Sequence, residues 1–471
     1  MTAPLWTIEE LIAATGGRLD GDIARPMNGV SIDSRSIAAG DVFVAIRGEH
    51  RDGHEFAAAA LKAGAAVAIV SRPDPGMRDA GALLVVDEPL AGLQRLAAAA
   101  RARSNAAIVG VTGSVGKTTT KEALRLALSA SGPTHASAAS YNNQWGVPLS
   151  LARLPRSAAF GVFEIGMSQA GEIAPLTRLV RPHVAIVTTI AASHLGNFPS
   201  LAAIADAKAE IFQGVEPGGA AVIQRDSEFF DRLAMAARQS GVGRIVGFGE
   251  HGSAEVRLDR AVLHEDCSCV TASMFGEVLS YRIGSPGRHV VMNSLAVLAA
   301  AELAGADLAR AAMALAHLEP QQGRGVRFKL DAPDGAITVI DESYNANPAS
   351  MRAALALLGQ ATPGRGGRRI AVLGDMLELG EDSPRLHAEL AQAIDENGAN
   401  IVYACGAGMA HLWKVLPAPR RGAYGQTSQD LQDTVLRDVR GGDVVMIKGS
   451  LGSRMMPLVE AIKKRYSGRA A

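Results

Sequence analysis

The residues of this sequence whose types and spacing could do chemistry are concentrated in one glycine-rich stretch. It reads Ile108-Val-Gly-Val-Thr-Gly-Ser-Val-Gly-Lys-Thr-Thr-Thr-Lys-Glu122. Residues 106–111 predict a buried strand, residues 113–116 a loop whose backbone N–H groups approach an anion, and Lys117 onward a helix whose N-terminus favours negative charge. The stretch therefore predicts a phosphate cradle, with Lys117 against the β- and γ-phosphates of a nucleotide and the Thr118 hydroxyl on Mg²⁺.

This cradle departs from the general spacing G-x-x-x-x-G-K-[ST], because Val111 stands where the first glycine is expected and the glycines fall at 110, 113 and 116. The alternative is a glycine-rich turn with a chance lysine. The ordered succession of strand, loop, Lys-Thr and helix disfavours that alternative. The residues predicted to bind ATP here are Gly113, Ser114, Val115, Gly116, Lys117, Thr118 and Thr119.

Two further polar residues fall at the carboxyl ends of predicted strands, where ligands gather in parallel sheets. Glu164 ends the apolar run 159–163, and His194 follows a strand over 184–189. Mg²⁺ needs oxygen ligands beside phosphates, so Glu164 is predicted as a metal ligand in preference to a helix cap or an edge salt bridge. His194 is a weaker candidate, since a lone histidine after a strand is usually satisfied by the backbone. Lys208 by itself predicts only a solvated helix position.

Short strands alternate with alanine-rich helices along the rest of the chain, which predicts an α/β protein of three domains. Residues 1–104 form a first α/β domain, residues 105–323 a central P-loop domain with a parallel, ATPase-like sheet, and residues 324–471 a doubly wound, Rossmann-like domain. The boundaries are placed at a polar break over 101–105 and at a glycine hinge that contains Arg324.

Polar loops in the first domain offer a second kind of site. Residues 31–35 bring Ser, Asp and Arg together, and residues 47–55 are equally polar. The guanidinium of arginine can donate two hydrogen bonds to a phosphate, and Ser and Asp side chains can bond to hydroxyl groups. These loops therefore suit a phosphorylated or sugar ligand. A solvated turn capped by Asp33 and Ser34 explains the first loop equally well.

Composition excludes several function classes. The charges of the 47 basic and 47 acidic side chains cancel, so the composition does not indicate nucleic acid or an anionic membrane as a partner. Three cysteines without zinc or redox spacing predict a cytoplasmic location. We find no signal peptide pattern and no apolar run long enough to span a bilayer, and Thr7-Ile-Glu-Glu10 predicts a helix capping box instead.

The cradle form Gly110-x-x-Gly113-x-x-Gly116-Lys-Thr-Thr119 resembles that of the Mur ligases, the ATP-dependent amide-bond-forming enzymes of peptidoglycan precursor synthesis. The resemblance extends over essentially the whole chain. It is carried by Asn142-Asn-Gln-Trp-Gly-Val-Pro148, Glu164-Ile-Gly-Met167, Ala207-Lys-Ala-Glu-Ile211, residues 341–351, Gly374-Asp-Met-Leu-Glu-Leu-Gly380 and Lys448-Gly-Ser450. Several of these are similar to the family member that adds D-alanyl-D-alanine to UDP-N-acetylmuramoyl-tripeptide.

The resemblance implies ATP and Mg²⁺ as cofactors, UDP-N-acetylmuramoyl-tripeptide and D-alanyl-D-alanine as substrates, and an acyl-phosphate intermediate. We also expect a monomer. Catalytic roles are implied for Lys117, Lys208, His194 and Asn345, and ATP contacts for Asn293, Arg324 and Asp341. Substrate contacts are implied for Ser34, Arg35, Asn142, Asn143, Tyr344, Asn347, Lys448 and Ser450. The implied metal ligands are Thr118, Glu164, His194 and Lys208, the last as the lysine that the family carbamylates.

Three positions depart from the family pattern. Val290 stands at a helix start where the family usually has the first of two asparagines. Residues 196–199 stand where the family often has an acidic residue followed by Phe-Gly. Glu342 stands where the family frequently has a second aspartate. Two rival functions remain. A folate polyglutamate ligase shares the cradle and three-domain plan, but the polar first domain and residues 344–348 disfavour it. A nucleotide-switch protein is disfavoured because the sequence has no GTPase-type base motif and has a third α/β domain. The third peptide residue, the proton acceptor and the extent of domain closure stay open.

Overall fold

The computed structural model describes residues 4–138 and 140–467 and contains three α/β domains in succession, each built on its own sheet. The predicted fold class is confirmed. The sheets have five, nine and six strands in chain order. None of the helices in the described ranges is long and apolar enough to cross a membrane.

In the first domain, short helices cover a mostly parallel sheet. Its elements are α1 (Ile8–Thr15), β1 (Arg18–Asp20), β2 (Gly29–Ser31), β3 (Asp41–Val44), α2 (Ala57–Lys62), β4 (Val67–Val70), α3 (Pro75–Ala80), β5 (Leu83–Val85) and α4 (Pro89–Ala102). The strand order is β1-β5-β4-β3-β2, with β1 antiparallel to β5 and the other pairs parallel. The predicted capping box at Thr7 and Glu10 opens α1.

The central domain holds the largest sheet, ordered β14-β13-β12-β11-β10-β9-β6-β8-β7. Its elements are β6 (Ala107–Thr112), α5 (Lys117–Ser129), β7 (Thr134–Ala136), α6 (Gly146–Ala152), β8 (Phe160–Glu164), α7 (Ile173–Val180), β9 (Val184–Val187), α8 (Leu201–Ala209), β10 (Ala220–Gln224), α9 (Phe230–Gln239), β11 (Arg244–Gly249), β12 (Val256–Leu263), β13 (Ser268–Met274), β14 (Glu277–Ile283), α10 (Arg288–Leu303) and α11 (Leu308–Ala314). The strands from β7 to β12 pair in parallel, and β12, β13 and β14 form an antiparallel patch.

The third domain has the order β15-β16-β20-β17-β18-β19, in which only β15 and β16 pair antiparallel. Its elements are β15 (Val326–Ala332), β16 (Gly335–Glu342), α12 (Pro348–Gln360), β17 (Arg369–Gly374), α13 (Ser383–Ala388), α14 (Leu390–Glu396), β18 (Ile401–Cys405), α15 (Met409–Val415), β19 (Arg421–Gly425), α16 (Ser428–Asp438), β20 (Val444–Lys448) and α17 (Met456–Ser467).

The first and central domains share apolar packing. Leu149 and Ala152 of α6 belong to the hydrophobic cluster of the first domain, and the indole N–H of Trp6 donates to the Ala152 carbonyl at 2.9 Å. The third domain follows a glycine hinge at residues 321–325. The sheets place the carboxyl ends of β6, β8 and β9 opposite those of β16, β17 and β20.

One strand ends earlier than the sequence suggests. The apolar pattern predicted a strand to residue 189, but β9 ends at Val187. Thr188 and Thr189 leave the sheet because their backbone and side-chain groups bond to the cradle loop instead.

Candidate active site

A cavity of about 1270 Å³ lies where the three domains meet. Glu49 and Gln94 line it from the first domain, the cradle from the central domain, and the loops after β16, β17 and β20 from the third. A pocket of this size accommodates a nucleotide together with part of a second substrate. Because all three domains contribute, their relative position determines its shape.

The cradle has the strand, loop and helix order that the sequence predicts. Gly113 and Gly116 have φ of +149° and +86°, a backbone region that L side chains rarely adopt. A Cβ at Gly116 would lie 2.8 Å from the amide nitrogen of Asn293, so Asn293 stands directly beside the loop. The Lys117 ammonium donates to the Gly113 carbonyl at 2.6 Å. The cradle residues that line the cavity are Ser114, Val115, Gly116, Lys117, Thr118 and Thr119.

Glu164 lies at the end of β8, next to the cradle, and only 1% of it is exposed. The side-chain N–H of Asn142 donates to its Oε1 at 2.7 Å, while its Oε2 is buried with no hydrogen-bond partner in the described chain. Thr118, 4% exposed, places its hydroxyl 3.3 Å from that of Ser140. An orphaned carboxylate oxygen near a P-loop hydroxyl matches the donor set that Mg²⁺ takes beside phosphates. No cluster of three or more acidic, His or Cys ligands occurs among residues 4–138 and 140–467.

Lys208 and His194 lie close to the cradle lysine. Lys208 is fully buried on α8 and is not among the residues lining the cavity. Burial, reinforced by the positive charge of Lys117, holds the pKa of the Lys208 amine well below its ordinary value. Burial also lowers the pKa of His194, which lines the cavity, and the carboxylate of Glu378 opposes this shift. Lys117 itself has a pKa lowered by burial, with Glu164 opposing.

The third domain forms the opposite wall. The buried Lys448 ammonium donates to Glu342 Oε2 at 3.1 Å and to the Asn345 carbonyl at 2.9 Å. Ser450 donates to the Ala346 carbonyl at 3.2 Å, so the ends of β16 and β20 are bonded together. The guanidinium of Arg324 stacks 4.1 Å above the ring of Tyr344.

Other residues predicted to bind substrate have structural partners. Asn347 caps α12, with its side chain accepting from the N–H of Ser350 at 2.9 Å, and still lines the cavity. Asn143 lines the cavity too and accepts from the N–H of Gly146 at 2.9 Å.

Five predicted residues are not among those that line the cavity: Gly113 and Lys208, described above, and Asp341, Ser34 and Arg35. The carboxylate of Asp341 accepts from the N–H and the hydroxyl of Ser343 at 3.1 and 2.6 Å, and it is buried behind the wall. Ser34 and Arg35 lie on the first domain away from the cavity lining. The side chain of Arg35 is 83% exposed and pairs with Asp33.

Sequence reasoning missed several residues that bear on the site. Glu342 lines the cavity in place of Asp341, and Glu378 approaches His194 from the third domain. Thr188 and Thr189 bond to the cradle loop. Position at a strand end was an available signal for Glu342, Thr188 and Thr189, whereas Glu378 lies four residues after the end of β17 and had no such signal.

A P-loop that opens into a cleft shared with two further α/β domains is the arrangement of an enzyme that uses a nucleotide to act on a second substrate. Three family models match in succession: the Mur ligase family catalytic domain over residues 26–103, the Mur ligase middle domain over 111–301 and the Mur ligase glutamate ligase domain over 326–451.

Known proteins agree with these matches. UDP-N-acetylmuramoyl-tripeptide--D-alanyl-D-alanine ligase of Escherichia coli strain K12 is 33% identical over 467 residues, 97% of this chain and 98% of that protein. The crystal structure of MurF from Acinetobacter baumannii superposes with a TM-score of 0.84 at 30% identity, covering 98% of this chain and 99% of that one. The chain therefore belongs to the Mur ligase family, and it is an ATP-using ligase.

Two further structures refine this picture. MurF ligase from Thermotoga maritima, solved in complex with ADP, matches with a TM-score of 0.76 at 26% identity, over 94% of this chain and 99% of that one. Folylpolyglutamate synthase from Mycobacterium tuberculosis reaches a TM-score of 0.62 at 16% identity, over 79% of this chain and 93% of that one. The second likeness is one of fold alone.

Proposed function

We propose that this ligase joins D-alanyl-D-alanine to the terminal carboxylate of UDP-N-acetylmuramoyl-tripeptide in peptidoglycan precursor synthesis, with cleavage of ATP to ADP and phosphate. The observation that carries the proposal is the phosphate cradle opening into a cleft to which all three domains contribute. Relatives that bear this activity in their names align with the chain from end to end.

An amide requires an activated acyl donor, because a carboxylate at neutral pH is a poor one. The tripeptide carboxylate oxygen attacks the γ-phosphorus of ATP, which forms an acyl phosphate and releases ADP. The dipeptide amine then attacks the acyl carbon, phosphate leaves, and the amine loses a proton. Phosphoryl transfer depends mainly on positioning and charge neutralisation, the role we assign to Lys117. Closure of the third domain over the cleft excludes water from the acyl phosphate.

The cation that fits beside the cradle is Mg²⁺, and Glu164 and Thr118 would hold it. The orphaned Oε2 of Glu164 supports this assignment. When bound, the ion neutralises negative charge on the phosphates. Lys208 is suited to carbamylation because burial lowers its pKa and so favours the neutral amine, which is the form that reacts with CO₂. The product would be a carboxylate-like ligand. His194, which lines the cleft, lies near enough for the charge of Lys208 to contribute to its lowered pKa.

The remaining site residues divide by domain. Asn293, beside Gly116, and Arg324, near Lys117, are placed to contact the nucleotide, and we retain Asp341 as a residue that supports this region from behind. Asn345, Tyr344 and Asn347 face the reacting groups from the third domain, held by Lys448 and Ser450. Ser34 and Arg35, which lie outside the cavity lining, are assigned to the UDP end of the substrate, and Asn142 and Asn143, which line the cavity, to substrate binding.

The proposal also covers the domain boundaries, the oligomeric state and the cellular location of the protein. The domains extend over residues 1–104, 105–323 and 324–471; α4 ends and β6 begins on either side of the first boundary, and the hinge contains the second. We also propose that the protein acts as a monomer, since the three domains of a single chain meet around the cleft. The use of ATP and a UDP-linked substrate supports a cytoplasmic location.

Phosphate release measured with each substrate omitted in turn tests the function. We expect release only when UDP-N-acetylmuramoyl-tripeptide, D-alanyl-D-alanine, ATP and Mg²⁺ are all present, with a new amide product by mass spectrometry. A panel with lysine or diaminopimelate at the third peptide position identifies the third residue of the tripeptide substrate. Release that requires folate would favour the folate ligase, and release without either substrate would favour a nucleotide switch.

A further inference from the structure

A short segment behind the phosphate cradle, residues 188–191, fastens the cradle loop to the end of β9. The hydroxyl of Thr188 donates to the carbonyl of Val115 at 2.6 Å. In the other direction, Ser114 donates its backbone N–H to the Thr189 carbonyl at 2.7 Å and its hydroxyl to the Ala191 carbonyl at 2.9 Å. The loop is therefore held at Ser114 and at Val115 by this segment, in which Thr188 does not line the cavity.

The hydrogen bond from Thr188 determines which way a neighbouring backbone N–H points. No cis peptide bond occurs in the described residues, and in a trans peptide the C=O and the following N–H point in opposite directions. Since the Val115 carbonyl points at Thr188, the N–H of Gly116 points away from Thr188 and toward the cavity that Gly116 lines. An inward N–H is the group that a phosphate oxygen binds in such a loop.

A second peptide unit of the loop, between Gly113 and Ser114, is also held by hydrogen bonds. The Ser114 N–H donates to the Thr189 carbonyl, so the Gly113 carbonyl points the opposite way. The Lys117 ammonium donates to that carbonyl at 2.6 Å. Hydrogen bonds therefore fix the loop at two peptide units, the one after Gly113 and the one after Val115.

The packing of Thr188 against Gly113 explains why a small hydroxyl is needed there. A Cβ at Gly113 would lie 1.9 Å from Thr188 Oγ1, and only 1% of Thr188 is exposed. The hydroxyl therefore occupies space that a side chain at residue 113 would fill. If the hydroxyl is removed, the Val115 carbonyl loses this short hydrogen bond, because a methyl group in its place cannot donate one.

We infer that Thr188 is a positioning residue for nucleotide binding: its buried hydroxyl fixes the peptide unit between Val115 and Gly116 so that the Gly116 N–H faces the phosphates. Thr188 lies behind the loop and is not among the residues lining the cavity. It acts on the nucleotide only through the cradle backbone. This role rests on the use of ATP by the enzyme.

Thr188→Val tests the inference because it keeps the branched shape and removes only the hydroxyl. We expect the Kd of ADP, measured by calorimetry, and the KM of ATP to rise about tenfold, the size of effect for one lost hydrogen bond. The KM values of the tripeptide and the dipeptide are expected to stay unchanged. Thr188→Ser retains the hydroxyl and is expected to restore ADP affinity to within about twofold of wild type.

Thr177→Val is the matched control. Thr177 is a fully buried threonine of the same domain whose hydroxyl donates to the Ile211 carbonyl at 2.7 Å, away from the cradle. The same chemical change there is expected to lower the thermal midpoint comparably and leave ADP affinity unaltered. A Thr188→Val protein that binds ADP like wild type, or a Thr177→Val protein that loses as much affinity, would overturn the role of Thr188.

Amide NMR of the wild-type enzyme gives a test that does not depend on a variant folding. The N–H signal of Gly116 is expected to move downfield when ADP is added, because a phosphate oxygen accepts from it. An unchanged signal with saturating ADP contradicts the inference while leaving the ligase function intact. Wild-type enzyme that binds no ADP at all would overturn the ATP-using function itself, and the inference with it.

Discussion

His194 of the central domain and Glu378 of the third domain lie within ion-pair distance of each other across the domain junction. The contact extends to the residues that follow His194 and to the backbone of Glu378. The N–H of Gly196 donates to the Glu378 carbonyl at 2.9 Å, and Leu195 packs against the apolar core of the third domain. His194 and Glu378 both have left-handed φ, +56° and +63°, which is uncommon outside glycine and asparagine. The position of the third domain is therefore linked to a side chain that lines the nucleotide end of the cleft.

Glu378→Gln is expected to lower kcat about fivefold or less, the size of effect for a partly exposed ion pair. The reason is that the amide keeps the shape but loses the charge that holds His194, so the domains dock less tightly. Steady-state rates measure the loss of kcat, and small-angle scattering with bound ADP measures how tightly the domains dock. Glu381→Gln, a change to an exposed acid a few residues along the chain, is the control. Equal rates and equal scattering for both variants would argue against the docking role.

Glu164→Gln is expected to raise the Mg²⁺ concentration needed for half-maximal activity at least about tenfold, in line with losses at metal sites. The amide cannot supply a second anionic oxygen in place of the orphaned Oε2. Titrating Mg²⁺ at fixed ATP checks this. Glu172→Gln is a matched change, since Glu172 also borders the cavity but accepts from the N–H of Ser168 at 2.7 Å. An unaltered Mg²⁺ requirement in Glu164→Gln would remove that residue from the ion site.

The sequence was sufficient for the cradle and for Glu164, because these features depend on local order: a strand, a glycine loop, a lysine at a helix start, and a carboxylate at the next strand end. It was insufficient for contacts between distant segments. The bond from Thr188 to Val115 requires β9 to lie beside β6 in the sheet, an order that no local pattern gives. The approach of Glu378 to His194 requires the arrangement of two domains.

Asp341 and Glu342 show a second reason why the sequence alone does not identify the residues that face the cleft. Successive residues of a strand point to opposite faces, so only one of two adjacent acids can reach the cleft. In β16 that residue is Glu342, which pairs with Lys448, while Asp341 bonds to Ser343 behind the wall. Two acids in sequence do not reveal which one faces the cleft, because the face depends on the register of β16 with β20.

Lys208→Ala is expected to reduce activity by at least about a hundredfold, as for loss of a ligand from a metal site. Small carboxylates such as acetate or formate should then restore part of it, because they place an oxygen ligand where the carbamate would lie. Activity as a function of added carboxylate measures the rescue. Lys62→Ala, on α2 of the first domain, should retain full activity and show no response to carboxylate. A fully active Lys208→Ala enzyme would exclude the carbamate from the mechanism.

His387 is fully buried beneath the loop that carries Glu378. Its Nε2 accepts from the N–H of Met376 at 3.0 Å, and its Nδ1 lies 2.7 Å from the Ser383 carbonyl, which matches a neutral ring protonated on Nδ1. Burial lowers the pKa of His387, opposed by the Ser383 carbonyl and by Asp375. Protonation would remove the acceptor for the Met376 N–H.

The sign of the pH effect follows from this lowered pKa. A folded-state pKa below the ordinary value means that the neutral ring contributes its full stability above about pH 6.5. That stability is lost as the pH falls below 6.5 and through the lowered folded-state pKa. At pH 7.5, His387→Gln is expected to cost about 1–3 kcal/mol through disrupted buried hydrogen bonds. Between pH 7.5 and pH 5 the thermal midpoint of wild type should fall further than that of the variant. His317→Gln, a change to an exposed histidine of the central domain, should retain the wild-type profile. Parallel profiles for wild type and His387→Gln would contradict the assignment.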